Sequence, residues 1–231
     1  MTGAPALAPG ENRPGAALEA DYARIGRTGD ADLAADLLAG TPSHEERDRG
    51  LLLEWAAVAL EFGGEMAAAA AGPAPREAAG VHDAATGGVR PGEILLAEYV
   101  HRAAGSRVVV YSDAVDYAHR VATAAGWGAE CPRGAVRRAA LAHEEAHRML
   151  HTGRGRELRR RLDHTALRIG PLRLRGHVVG ADEIAAHAYA RGRGAMRRSP
   201  LALTAAIAAT LAHQSPDHQG PDQRTRSGDR L

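Results

Sequence analysis

Leu141-Ala142-His143-Glu144-Glu145-Ala146-His147-Arg148-Met149-Leu150-His151 is the stretch on which the reading of this chain turns. It contains H-E-x-x-H from His143 to His147. Residues four apart on an α-helix lie on one face, one turn up. His143 and His147 can therefore offer imidazole nitrogens to one zinc ion, at about 2.0–2.1 Å each. Glu144 points sideways from that stripe and reaches the water in the ion's open coordination position. There it serves as general base while the hydroxide attacks a carbonyl. The plain alternative is a surface helix rich in His and Glu through drift. Context favours the metal. The motif lies on the clearest helix of the chain, opened by Cys131-Pro132, running to about His151 and stopped by Gly153. Val136, Ala139, Ala140 and Leu150 lie near the His stripe.

A catalytic zinc needs a third protein ligand. His151 continues the stripe, but eight residues rise about 12 Å, too far for one ion to bridge. The next helix begins Gly180-Ala181-Asp182-Glu183-Ile184-Ala185-Ala186-His187-Ala188-Tyr189-Ala190. Glu183 sits in its first turn, on the face of His187, and is the preferred third ligand. His187, His177, His164 and Asp182 are the alternatives. An acid in a first turn is also what the helix dipole favours without any metal. A donor for the developing oxyanion is expected among His187, His177 and Tyr189. A carboxylate that orients a ligand imidazole is expected among Asp113, Asp163 and Asp182.

Outward from the motif, residues 17–40 and 50–71 read as helices, the second with Leu51, Leu52, Trp55, Leu60 and Phe62 on an apolar face. Residues 72–91, punctuated by Pro and Gly, read as a linker, and 92–104 as a helix. Arg107 to Ser112 (RVVVYS) is the best strand signal, and 114–126 is again helical. The basic run 154–161 reads as a solvated helical face or loop, with an anion-binding patch as the alternative, and 172–179 as an edge strand. Ser199-Pro200 caps a last helix reaching about His213. Residues 1–15 and 214–231 read as a disordered lead and tail.

The segment LAHEEAHRMLH resembles the active-site helix of zincin metallopeptidases, and ADEIAAHAYAR resembles the glutamate-bearing helix of the compact gluzincins, including the ImmA/IrrE type. Glu183, Ala186, Tyr189 and Ala190 stand where that helix reads E-x-x-A-x-x-F-A. The resemblance covers about residues 92–191. It implies an α+β, helix-dominated zincin-like core over residues 92–213, with a small β-sheet; the helical N-terminal extension and linker over 16–91 are read from the residues alone. It also implies Zn2+ held by His143, His147 and Glu183, Glu144 as base, and a peptide or protein substrate, including a regulatory protein. Glu145 and Arg148 are more polar than the usual neighbours of the motif. Only one strand upstream is distinct.

Composition sets the outer limits. The 231 residues carry 29 basic and 28 acidic groups, for a net charge of +1, and every basic residue is arginine. One cysteine excludes a disulfide scaffold and Cys-rich zinc fingers. Near-neutral charge argues against a dedicated nucleic-acid binder. Residues 1–15 lack the basic start and apolar run of a signal peptide. No stretch reaches the roughly 18 apolar residues of a membrane span. Both point to the cytoplasm. Two rival readings stand beside the peptidase. One is a di-iron carboxylate helical bundle, since Glu98-Tyr-Val-His101 and Glu144-Glu-Ala-His147 share the Glu-x-x-His spacing. The other is a non-catalytic zincin-fold protein of regulation or interaction, with peptide or nucleic acid held at the arginine run 154–161.

Overall fold

The computed structural model describes residues 15–70, 80–102, 105–169 and 172–214. The expected lead and tail, and the first part of the linker, fall almost entirely outside the described residues. What is described is a mixed α+β arrangement, dominated by helices, with a small sheet.

The helix expected over 17–40 is two helices, α1 (Ala16–Arg27) and α2 (Asp30–Ala39). The break lies at Thr28-Gly29, both extended. Thr28 uses its N–H to close the last turn of α1, and Asp30 and Asp32 supply first-turn acids favoured by the dipole of α2. Helix α3 (Arg49–Ala69) starts at an N-cap, where the Asp48 carboxylate accepts the N–H of Leu51. Leu52, Trp55, Ala56, Ala59, Phe62, Gly63 and Met66 form its buried stripe.

The helix expected over 92–104 is instead strand, and the last part of the expected linker holds strand too. The strands are β1 (Val81–Ala84), β2 (Val89–Arg90), β3 (Glu93–Ile94), β4 (Ala97–Arg102) and β5 (Gly105–Tyr111). The physical reason is pairing. The β-branched run Val108-Val109-Val110 makes β5 the centre of a three-stranded sheet. It pairs parallel with β1 on one side and antiparallel with β4 on the other. β2 and β3 form a small separate ribbon.

Helix α4 (Ser112–Ala124) follows, then α5 (Arg133–Met149), a π-type turn over Leu150–Arg154, and α6 (Gly155–Leu162). Gly153, at φ 146, makes the kink between α5 and α6, a conformation open to glycine and strained for other residues. β6 (Thr165–Ile169) and β7 (Leu172–Arg175) pair antiparallel as a ribbon of their own, so the expected edge strand is shorter than 172–179. Helices α7 (Ala181–Arg193) and α8 (Pro200–Gln214) complete the described chain.

One buried cluster runs from Tyr22 to Ile207. The N-terminal helices share this core with the rest. Helix α7 packs most extensively on α3 and next on α5. No helix among the described residues is long and apolar enough to cross a membrane.

Candidate metal centre

Two helices bring the site together. Helix α5 carries His143, Glu144 and His147 on its last turns, next to buried Ala139, Ala140, Leu141, Ala142 and Ala146. Helix α7 carries Glu183 in its first turn. Gly180 opens α7 in the left-handed region (φ 88), and His44 Nε2 lies 3.0 Å from the carbonyl of Val179, to which it donates. That hydrogen bond ties the start of α7 to the N-terminal helices.

The geometry is tight. His143 Nε2 and His147 Nε2 are 3.0 Å apart. Glu183 Oε2 lies 3.2 Å from the first and Oε1 3.1 Å from the second. Ligands about 2.0–2.1 Å from a tetrahedral zinc stand about 3.3 Å from one another. The donor set of two imidazoles and one carboxylate suits that ion. His187, four residues after Glu183, also offers a nitrogen within 4.8 Å of ligand atoms of His143 and Glu183, its ring centroid 4.6 Å from that of His143. The set with His147 is closer, and His187 lines the same cavity.

Electrostatics follow from the enclosure. Burial pushes the Glu144 carboxyl above its ordinary pKa, against the opposing pull of His143 and His147. The backbone of Tyr99 on β4 hydrogen-bonds this carboxylate. Burial alone would lower His147, but the hydrogen bond to Glu183 outweighs it and the net shift is upward. Partial burial would raise Glu183, yet its bonds to His143 and His147 hold it well below the carboxylate range. His187 is pushed down to about 3, first by burial and then by the charge of His143, so it is neutral at pH 7.

A cavity of about 290 Å3 opens on the cluster, with His143, Glu144, His147, Glu183 and His187 at one end. The rest of its wall is mostly apolar and includes Leu95, Leu96, Val136, Met196, Leu203 and Ile207.

The other sequence candidates lie elsewhere. Tyr189 is fully buried and donates to Glu145 Oε2 at 2.7 Å, and it does not line the cavity. That bond pushes its pKa, already raised by burial, to about 12. Its expected role as oxyanion donor gives way to one of tying α7 to α5. His177 is exposed and sits 3.9 Å from Asp182. His164 packs edge-on against Trp55, centroids 5.0 Å apart. His151 is exposed at the far end of the stripe.

Asp113 accepts the N–H groups of Gly87, Gly88 and Val89 and so organises a loop, not an imidazole. Asp163 ends α6 in the left-handed region. Asp182 acts as a nearby charge on His147. Glu98 and His101 lie on β4, with Glu98 accepting from Tyr111, so the spacing that suggested a di-iron bundle is not on a helix. Sequence reasoning missed the cavity wall from α8 and the Tyr99 backbone contact. The first carried a faint signal in the apolar Leu201–Ile207 run, the second none.

Compared with models of known protein families, with curated proteins and with solved structures, the chain shows no significant match.

Proposed function

We propose that this chain is a zinc-dependent peptidase with a zincin-like core over residues 92–213, resembling the compact gluzincins of the ImmA/IrrE type. The observation that carries the reading is the convergence of His143, His147 and Glu183 to 3.0–3.2 Å, with Glu144 beside them. The two Nε2 atoms and the Glu183 carboxylate would hold the ion. Bound zinc polarises a substrate carbonyl and lowers the pKa of water to about 7.

The chain's own groups do the rest. Glu144, its pKa raised by burial, takes a proton from the attacking water as the new C–O bond forms. It returns that proton to the departing amide nitrogen as the C–N bond breaks. The Tyr99 backbone holds the carboxylate in place. Neutral His187 is the donor placed to meet charge developing on the carbonyl oxygen. The apolar wall accepts a hydrophobic side chain next to the scissile bond. β4, at the sheet edge, offers main-chain groups to an extended peptide.

The test is hydrolysis of a peptide library by the zinc-loaded protein beside Glu144→Gln. Cleavage products are expected from the first, at a rate at least about 100-fold above the variant. If both are equally inert while zinc stays bound, the chain binds without catalysis and the peptidase reading fails.

A further inference from the structure

The segment that leaves the candidate centre is the most basic part of the chain. From Arg148 to Arg175 the sequence holds nine arginines and two acids, against twenty arginines and twenty-six acids in the remainder. The net charge of +1 therefore conceals +7 on one segment and −6 elsewhere.

The structure sorts the arginines of α6 into two sets. Arg154 and Arg161 turn back onto α3, their guanidinium carbons 5.3 and 5.0 Å from the centroid of the Phe62 ring. Arg154 pairs with Glu157 at 2.8 Å, and Arg161 with Glu65 at 2.7 Å and Glu157 at 3.1 Å. Arg156, Arg159 and Arg160 are exposed, and none has an acidic partner among the described residues. Their spacing of three and four puts them on one helix face. The back of α6 is thus pinned, and its front presents three free cations beside the Gly153 kink.

We infer that the exposed face of α6 is a docking face for the phosphate backbone of a nucleic acid. The apolar residues of α6, Leu158 and Leu162, are buried, so the face lacks the hydrophobic anchor that a protein partner uses. What it does offer is a row of arginine forks, which match phosphate oxygens. Such a contact is independent of base sequence and strongly salt-dependent.

The experiment is fluorescence anisotropy of a labelled 20-mer DNA, single-stranded and duplex, titrated with the full chain from 50 to 300 mM NaCl. The variant is Arg156→Gln/Arg159→Gln/Arg160→Gln, which alters only exposed side chains. Each lost phosphate contact should flatten the slope of log K against log salt by about 0.9 on duplex and about 0.7 on a single strand. The triple variant should therefore lose about 2–3 from the slope and bind at least tenfold more weakly at 50 mM salt. Arg133→Gln, which removes a partner of Asp116 away from α6, should bind as wild type.

Absence of binding at 50 mM salt, or an unchanged slope in the triple variant, overturns the inference. So does equal affinity for a polyglutamate peptide, which would make the face a docking site for acidic protein. The triple variant should keep its zinc content and any peptide hydrolysis. Failure of one reading is therefore visible apart from failure of the other.

Discussion

Replacing Gly63 with alanine adds one methyl where α3 and α7 approach most closely. A Cβ at this position would collide with the carbonyl oxygen of Ala185 and lie 2.8 Å from the Ala188 Cβ. Ala185 is two residues from Glu183, so any yielding shifts the helix that carries Glu183. The neighbouring Gly64 is an internal control. It sits in the same helix, is exposed, and an added Cβ meets nothing within 4 Å. Gly→Ala in an exposed helix interior gains about 1 kcal/mol. An extra methyl forced into a packed core costs about 1–3 kcal/mol, and a backbone carbonyl is a poor group to push aside. Gly64→Ala should then stabilise by about 1 kcal/mol, and Gly63→Ala should destabilise by about 0–2 kcal/mol net.

Urea melts at constant m-value read the difference directly. In thermal melts the two variants should stand about 2–12 °C apart, at about 2–4 °C per kcal/mol for a chain of this size. Zinc affinity should fall in Gly63→Ala and hold in Gly64→Ala. Equal stabilisation by both substitutions would refute the packing of α3 on α7 and the role of the N-terminal helices in placing Glu183.

Tyr189→Phe removes the hydroxyl that donates to Glu145. It should cost about 1–3 kcal/mol in urea melts while leaving zinc content and kcat within a few-fold of wild type. A collapse of kcat with zinc and stability intact would return Tyr189 to the reacting atoms. His187 makes a pH prediction. Its pKa is about 3 in the fold and about 6.5 in the unfolded chain, so the unfolded chain takes up the proton first. The stability of the metal-free protein should fall as pH drops from about 6.5 toward 3. His187→Gln should show a shallower loss in melts from pH 7 to 4, and an unchanged slope would place the proton uptake on other groups.

What was legible in the sequence was what a helix repeats locally. His143 and His147 follow from four-residue spacing on a helix that the structure contains. Glu183 and His187 follow from the same spacing on α7. The same geometry would have warned against Tyr189, since six residues past Glu183 is about 240° around the helix. Long-range pairing was not legible. The residues of β4 pass locally for helix, and only the ladder to β5 decides them. The contact of Gly63 with Ala185 joins residues far apart in sequence, so nothing near Gly63 announces it. The wall that Leu203 and Ile207 add to the cavity depends likewise on where α8 docks. An alanine-rich helix with little polar contrast does not reveal which side it buries.

The central claim is that His143, His147 and Glu183 form one metal centre. Isothermal titration of zinc into the metal-free wild type, Glu183→Ala and His177→Ala tests it most directly. The account predicts one zinc per wild-type chain, the same for His177→Ala, and at least about 100-fold weaker binding for Glu183→Ala, beyond what losing an outer partner costs. Unchanged stoichiometry and affinity in Glu183→Ala would contradict it.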